Sequence, residues 1–318
     1  MNSFSVLVPL NTKEQRLDKF LATSEVVLQN CSINNRSHLK NIIQSVSVNE
    51  KKVKFSHKIK SGDVIKVDWE EIIPQNICPQ DIPLKIVYED ENVTLLDKEQ
   101  GMVTHPGAGN WTGTLVNALL FHWKKDSISN NSTRPGIVHR LDKDTSGLII
   151  TAKNIIAEDW LQKQFKDRRV KKEYIAIVCG RPPAYSGNIK TQIVRDSKNR
   201  KRYKALAGTE CGKFAHTVYR CIACYGPFSL MRLRLKTGRT HQIRVHMKYL
   251  GCPILGDPIY GSKNSLFPEA TLMLHSRLLA IRLPGEMNFS EFKAEVPLRF
   301  KKILKVLHRK YEKCLLTK

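Results

Sequence analysis

The chain has 318 residues, 41% of them apolar, and a formal charge of +24 from 53 basic and 29 acidic side chains. That length holds one large domain or two unequal ones, and the charge excess points to a polyanionic partner, nucleic acid before anionic membrane. No apolar run approaches the roughly 18–20 residues of a membrane span, the opening MNSFSVLVPL lacks a signal-peptide pattern, and eight scattered cysteines read as reduced thiols of a cytoplasmic protein.

Residues 14–75 form a first unit. The segment 16–21, RLDKFL, predicts a short amphipathic helix, and 36–43, RSHLKNII, a second with apolar positions at 39, 42 and 43. Strands are expected at 46–48, 53–55 and 65–67, parted by turns at 49–52 and at Ser61-Gly62-Asp63. Between 16 and 69 stand ten basic and five acidic residues, so the unit offers a basic surface. Arg36, Lys40, Lys51, Lys52 and Lys54 are candidate phosphate contacts; the plainer alternative is a solvated basic face. Residues 70–83, broken by Pro74, Pro79 and Pro83, read as an exposed linker into a larger domain, 76–318.

In that domain, 86–88 and 93–96 predict paired strands. The stretch GMVTHPGAGNWTGTLVNALLFHW is a turning glycine-rich loop followed by a helix over 114–123, without the P-loop lysine or the Rossmann spacing. Residues 135–153, PGIVHRLDKDTSGLIITAK, place apolar runs at 137–138 and 148–150 around a polar loop. The runs predict strands, and Thr145-Ser146-Gly147 reads as turn chemistry. A loop between buried strands that carries His139, Arg140, Asp142, Lys143 and Asp144 is a natural place for reactive groups. A helix over 158–168 and a strand over 170–179 follow; Tyr174 in that strand reads, on composition alone, as core packing. The segment 195–204, RDSKNRKRYK, is a basic hairpin connection. Cys221 and Cys224 lie in a strand-like segment, where burial is the favoured reading over a metal site. FSLMRLRL at 228–235 alternates as a strand. It leads through KTGRTHQIRVH to a helix over 241–249, in which Arg239, His241, Arg244 and His246 are crowded together. A strand at 272–283, with His275 at the site's edge or simply packed, and a basic surface helix in the 299–318 tail complete the chain.

Three of these segments, HRLD with TSG, K-x-Y-x-A at 172–176 and GRTHQIRVH at 238–246, resemble in this order the motifs of the RluA family of RNA pseudouridine synthases. The first unit, with KIKSGDVIKV, resembles an S4 RNA-binding domain. The glycine-rich stretch is similar to the family's first motif. It departs at Lys98-Glu99-Gln100-Gly101, where the family commonly has Lys-Pro before the glycine. The resemblance implies an α+β fold: a mixed, mainly antiparallel β-sheet catalytic domain with a small N-terminal S4-like α/β domain. It implies isomerisation of uridine to pseudouridine in RNA by a monomer needing neither cofactor nor metal. Its nearest branch acts on large-subunit ribosomal RNA (RluD-like). A tRNA substrate, an inactive RNA-binding assembly factor and a metal-dependent hydrolase are the alternatives. Residue by residue, it makes Asp142 catalytic. Arg140 fills the gap left by a flipped-out base, Tyr174 packs on that base, and Arg244 pairs with Asp142 through a planar two-point contact. Arg239 and His241 touch RNA. Asp144, the rival carboxylate, is expected to cap its own turn.

Overall fold

The computed structural model describes residues 2–21, 23–24, 43–69, 77–107, 110–124, 135–199 and 201–311. Nearly all of the expected helix at 36–43, with Arg36 and Lys40, and the 312–318 end of the tail lie outside the described residues. The chain divides into two compact units, Met1–Asn76 and Ile77–Lys318. Among the described residues no helix is long and apolar enough to cross a membrane.

The first unit contains β1 (Asn2–Leu7), β2 (Gln15–Arg16), α1 (Leu17–Leu21), β3 (Ile43–Val48), β4 (Lys51–Lys52), β5 (Lys58–Ile59) and β6 (Val64–Trp69). Its main sheet is antiparallel in the order β1-β6-β3-β4. Alternation sends Val46, Val48, Ile65 and Val67 into one core with Leu17, Leu21 and Ile59. The unit begins earlier than residue 14, because β1 pairs residue for residue along β6. Ser3 and Ser5 face outwards while Phe4 and Val6 turn to the core, the alternation of a half-buried strand. Residues 53–55 are not a strand: the Val53 N–H closes back on the Val46 carbonyl at 3.0 Å, and Val53 and Phe55 pack at the edge of the core. Lys51, Lys52 and Lys54 are exposed.

The second unit contains β7 (Ile86–Glu89), β8 (Val93–Lys98), α2 (Leu115–His122), β9 (Ser146–Ala152), α3 (Ile155–Lys166), β10 (Lys171–Cys179), β11 (Ser186–Arg195), β12 (Tyr203–Leu206), β13 (Lys213–Tyr225), β14 (Phe228–Leu235), α4 (Gln242–Tyr249), β15 (Leu274–Ile281), β16 (Ser290–Lys293) and α5 (Leu298–Lys310). One sheet runs β12-β11-β13-β14-β10-β15-β9-β8-β7, with β16 added on β15. Every pairing is antiparallel except that of β15 with β9. This is the mixed, mainly antiparallel α+β architecture expected from the sequence. The tail helix α5 is not a free surface helix: Phe300, Ile303 and Leu307, at helical spacing, are buried in the main core. In β13 a register shift between Cys221 and Ala223 brings the buried Cys221 and Cys224 Sγ atoms to 3.5 Å, whereas a regular strand would send them to opposite faces.

Residues 137–138 do not form a strand; Ile137 makes only a single bridge to Thr151. Ser146 and Gly147, expected as turn residues, open β9 instead. Here β9 meets β15 in parallel, Gly147 opposite Ser276, and Ser276 in turn lies opposite Tyr174 of β10. Gly147 has φ +112°, and a Cβ there would fall 2.3 Å from the Ser276 carbonyl oxygen. Its missing side chain is what lets the two backbones approach. Gly147→Ala should therefore destabilise the chain by about 2–4 kcal/mol, through strain and a backbone that cannot yield. Denaturant unfolding followed by circular dichroism measures this, and an unchanged midpoint would contradict it.

Candidate active site

The loop before β9 is fixed by its carbonyls. The Leu141 carbonyl accepts from Thr104 Oγ1 at 2.9 Å, and the Asp142 carbonyl from the Thr145 N–H at 3.0 Å. The Lys143 carbonyl takes the Gly101 N–H at 2.9 Å and Lys98 Nζ at 3.2 Å, and the Asp144 carbonyl takes Gln100 Nε2 at 2.8 Å. Lys98 is fully buried, and its other two donors reach the Glu99 and Met102 carbonyls, each at 2.8 Å. Burial pulls the Lys98 pKa down to about 8, against the opposing pull of Asp144 and Asp142. Gln100 thus stands where the resemblance leads one to expect Lys-Pro and ties this segment to the loop before β9; it also donates to the Leu272 carbonyl at 3.0 Å. The carboxylate of Asp144 makes no cap among the described residues. Its turn is closed by backbone, at Thr145.

His139 is a structural residue. Its ring stacks on Phe165 at 4.5 Å, and its Nε2 accepts the Ile150 N–H at 3.1 Å. That bond assigns the proton to Nδ1. Burial pushes the pKa down to about 3, helped by Lys172, so the ring stays neutral.

With its backbone fixed, the loop presents Asp142 to a cavity of about 510 Å³. Asp142 is 20% exposed. It is the one carboxylate among the side chains that line the cavity, against seven lysines and arginines. Arg140 is exposed and lines the same cavity. Tyr174 is buried below it, and burial raises its pKa to about 12, so the phenol keeps its proton.

Arg244 sits in the first turn of α4. Its Nη1 lies 3.5 Å from Asp142 Oδ2. The planar two-point contact is made elsewhere: Nε and Nη2 each donate at 2.8 Å to Asp257, one to each carboxylate oxygen. Arg244 is 3% exposed and Asp257 0%. The shorter pairing goes to Asp257 because that carboxylate is held face-on by its own turn. Its Oδ1 also accepts the N–H groups of Ile259 at 2.8 Å and Tyr260 at 3.0 Å. Burial opposes both charges. The pair outweighs it, leaving the Arg244 pKa raised and that of Asp257 lowered.

The sequence reading named no role for Asp257; the signal was the Gly256-Asp257-Pro258-x-Tyr260-Gly261 run after the third motif. Tyr260 belongs to the same group. Its hydroxyl accepts the Tyr203 N–H at 3.0 Å and so donates to His241 Nδ1 at 2.9 Å. The His241 Nε2, left with the proton, faces Asp142 Oδ2 at 3.9 Å. Burial lowers the His241 pKa despite Asp142. His241 holds a left-handed backbone, φ 55° and ψ 17°, at the N-terminus of α4. Arg239 anchors its Nε on the Phe214 carbonyl at 2.9 Å while lining the cavity. His275 is packed, not at the cavity: it is buried, with Nδ1 2.8 Å from Ser146 Oγ. Among the described residues no three His, Cys, Asp or Glu side chains converge as a metal-binding set.

A carboxylate and a buried arginine facing one cationic cavity define an enzyme site suited to an anionic substrate. Residues 92–249 match the family described as RNA pseudouridylate synthase. A ribosomal large subunit pseudouridine synthase D from Borreliella burgdorferi is 47% identical over 253 residues, 78% of this chain and 77% of that protein. One of the same name from Zymomonas mobilis is 40% identical over 304 residues, 92% of this chain and 93% of that one. Among solved structures, human RNA Pseudouridylate Synthase Domain Containing 1 aligns with a TM-score of 0.58 at 25% identity, covering 75% of this chain and 92% of that one. The chain belongs to the RNA pseudouridine synthase family, in its RluA- and RluD-like branch.

Asp257→Asn tests the support of Arg244. An amide that kept its oxygen at the Oδ1 position would turn its NH2 towards Arg244 Nε, donor against donor. The variant should lose about 3–5 kcal/mol of stability, and in the folded fraction the saturating single-turnover rate should fall at least about tenfold. Thermal melts and tritium release from 5-tritiated uridine in RNA report the two losses. A stable variant with a normal rate would show that Arg244 does not need Asp257.

Proposed function

We propose that this enzyme isomerises uridines of large-subunit ribosomal RNA, with Asp142 as its reacting carboxylate. The observation that carries the proposal is the position of Asp142: partly exposed, alone as a carboxylate in the cavity lining, and beside a guanidinium already fixed by Asp257. The reaction breaks the N1–C1′ bond of uridine, turns the uracil and forms a C5–C1′ bond. The C5 proton is released and N1 gains one, so the change is a pure isomerisation. A stacked uridine cannot reach a carboxylate at this depth, so the base flips out at a cost of a few kcal/mol. Arg140, exposed two residues before Asp142, takes the place that the base leaves. Tyr174 receives the uracil against its ring; its buried, protonated phenol makes that surface neutral. Arg244 Nη1 aims Asp142 and balances its charge, while Arg239 and His241 line the way in. The ribosomal substrate is supported by the 47% identity to a relative named for the large subunit.

The first unit acts, in this reading, as an S4-like RNA grip. It holds its own core, and Lys51, Lys52 and Lys54 are exposed and positioned to meet phosphates; Arg36 and Lys40 are assigned to the same task from sequence. The protein works as a monomer on its RNA.

Asp142→Asn keeps the shape and removes the charge. It should lower the single-turnover rate by more than about 10³-fold while RNA affinity stays within about threefold, whereas Asp144→Asn should remain close to wild type. Substantial turnover in the Asp142 variant would reassign the reacting group. Removing residues 1–76 should weaken RNA binding by about tenfold or more and make its salt dependence shallower, because fewer phosphates are neutralised. The rate at saturating RNA should change little. Affinity over a salt series and that saturating rate are the two readouts; an unchanged salt slope would remove the proposed grip.

A further inference from the structure

Lys172 precedes Tyr174 by two residues on β10, so the two side chains share one face of the strand, about 7 Å apart. Both line the cavity, while Glu173 between them points away to Arg232 and Arg234. The Lys172 ammonium lies 5.3 Å from the centre of the Phe165 ring. It also lies against Gly238, where a Cβ would come within 3.5 Å of Nζ. Arg140, Lys166, Arg168 and Lys236 are exposed to water, and the other cations of the site that are not exposed are answered. Arg244 has Asp257 and Asp142, Lys98 has three carbonyls, and Arg239 has the Phe214 carbonyl. Among the described residues no carboxylate or carbonyl answers Lys172. Burial alone pulls its pKa down to about 8, with no acid pulling it back.

A largely buried ammonium without an anion costs stability, and such a group marks a place where a ligand supplies the missing charge. Uracil is neutral and is served by the Tyr174 ring with Leu141, Ile243 and Leu274 around it. The part of an RNA that needs a cation is its backbone. We infer that Lys172 binds a backbone phosphate of the substrate inside the cavity, next to the nucleotide whose base packs on Tyr174. The inference rests on the uridine reading of Asp142 and Tyr174 given above. It makes the cavity a site for a nucleotide with its phosphate, not for a base alone.

The test uses the full chain and a large-subunit ribosomal RNA transcript, with wild type, Lys172→Met and Lys172→Arg. Affinity is measured over a salt series, and the single-turnover rate at saturating RNA alongside it. The Met variant should bind about tenfold more weakly, with a salt exponent smaller by about 1, at a saturating rate near wild type. The Arg variant should keep the wild-type exponent. Wild-type affinity should fall more steeply than that of the Arg variant as pH rises through about 8, where the free Lys172 ammonium loses its proton, because Lys98, also near 8, titrates in both. The charged and titratable groups that line the cavity with Lys172 and Tyr174 are His139, Arg140 and Asp142 before β9, Lys166 and Arg168 at and just past the end of α3, Lys236 and Arg239 after β14, and His241 and Arg244 at α4; the Arg variant keeps them all. An unchanged salt exponent in the Met variant overturns the proposal. So does a collapsed saturating rate at normal affinity, which would place Lys172 in the chemistry. If the Met variant does not fold, the pH profiles of wild type and the Arg variant decide. If wild type forms no pseudouridine in the transcript, the uridine reading fails, and the binding measurements still decide whether Lys172 holds a phosphate.

Discussion

A guanidinium taken almost wholly out of water must have its charge met on the spot, and in this chain Asp257 meets it. Two of the three Arg244 nitrogens are committed to that carboxylate at 2.8 Å. Because the guanidinium is planar, this commitment also fixes the direction of the third nitrogen, and Nη1 is left facing Asp142. Asp142 therefore need not bind its arginine tightly in order to be aimed by it. A tight two-point bond would occupy both of its oxygens. A single longer contact leaves the carboxylate 20% exposed and available to a substrate. The acid that faces the cavity is separated from the structural acid, and one arginine contacts both.

The loop that carries Asp142 is held by a complementary device. Each carbonyl from Leu141 to Asp144 already has a donor, from Thr104, Thr145, Gly101 with Lys98, and Gln100. The carbonyls of a segment so rich in charge are thus satisfied, and the charged side chains it turns to the cavity are those of Arg140 and Asp142. His139 faces inward as a neutral acceptor for β9.

Much of this was legible in the sequence, for identifiable reasons. The β-branched and apolar runs at 148–150 and 170–179 gave the central strands, and the FSLMRLRL alternation gave β14, because buried central strands impose strong patterns. The ordered motifs pointed to Asp142, Tyr174 and Arg244. What stayed hidden depends on contacts between distant segments. Gly147 looks like a turn residue until β15, some 130 positions later, is seen to press against it. Asp257 looks like loop chemistry until Arg244 is placed beside it. Lys172 looks like one basic residue among many in a chain of +24, and only its burial without a partner sets it apart. The strand β1 alternates in the sequence but has its partner β6 some sixty positions later, and the α5 stripe is masked by the basic residues around it.

The parallel pairing of β9 with β15 also governs the order in which the molecule can be built. The strand that follows Asp142 has β8 as one neighbour, available early in the chain, but its other neighbour is β15 at Leu274–Ile281. Arg299, farther on still, donates to Ser146 Oγ at 2.6 Å and so reaches the first residue of that strand. The centre of the sheet is thus closed by the last quarter of the chain, a contact of high sequence separation that forms slowly. A growing chain would carry its motifs long before it carried a site. The sheet beside Asp142 therefore cannot close during synthesis before residues 274–299 have been made.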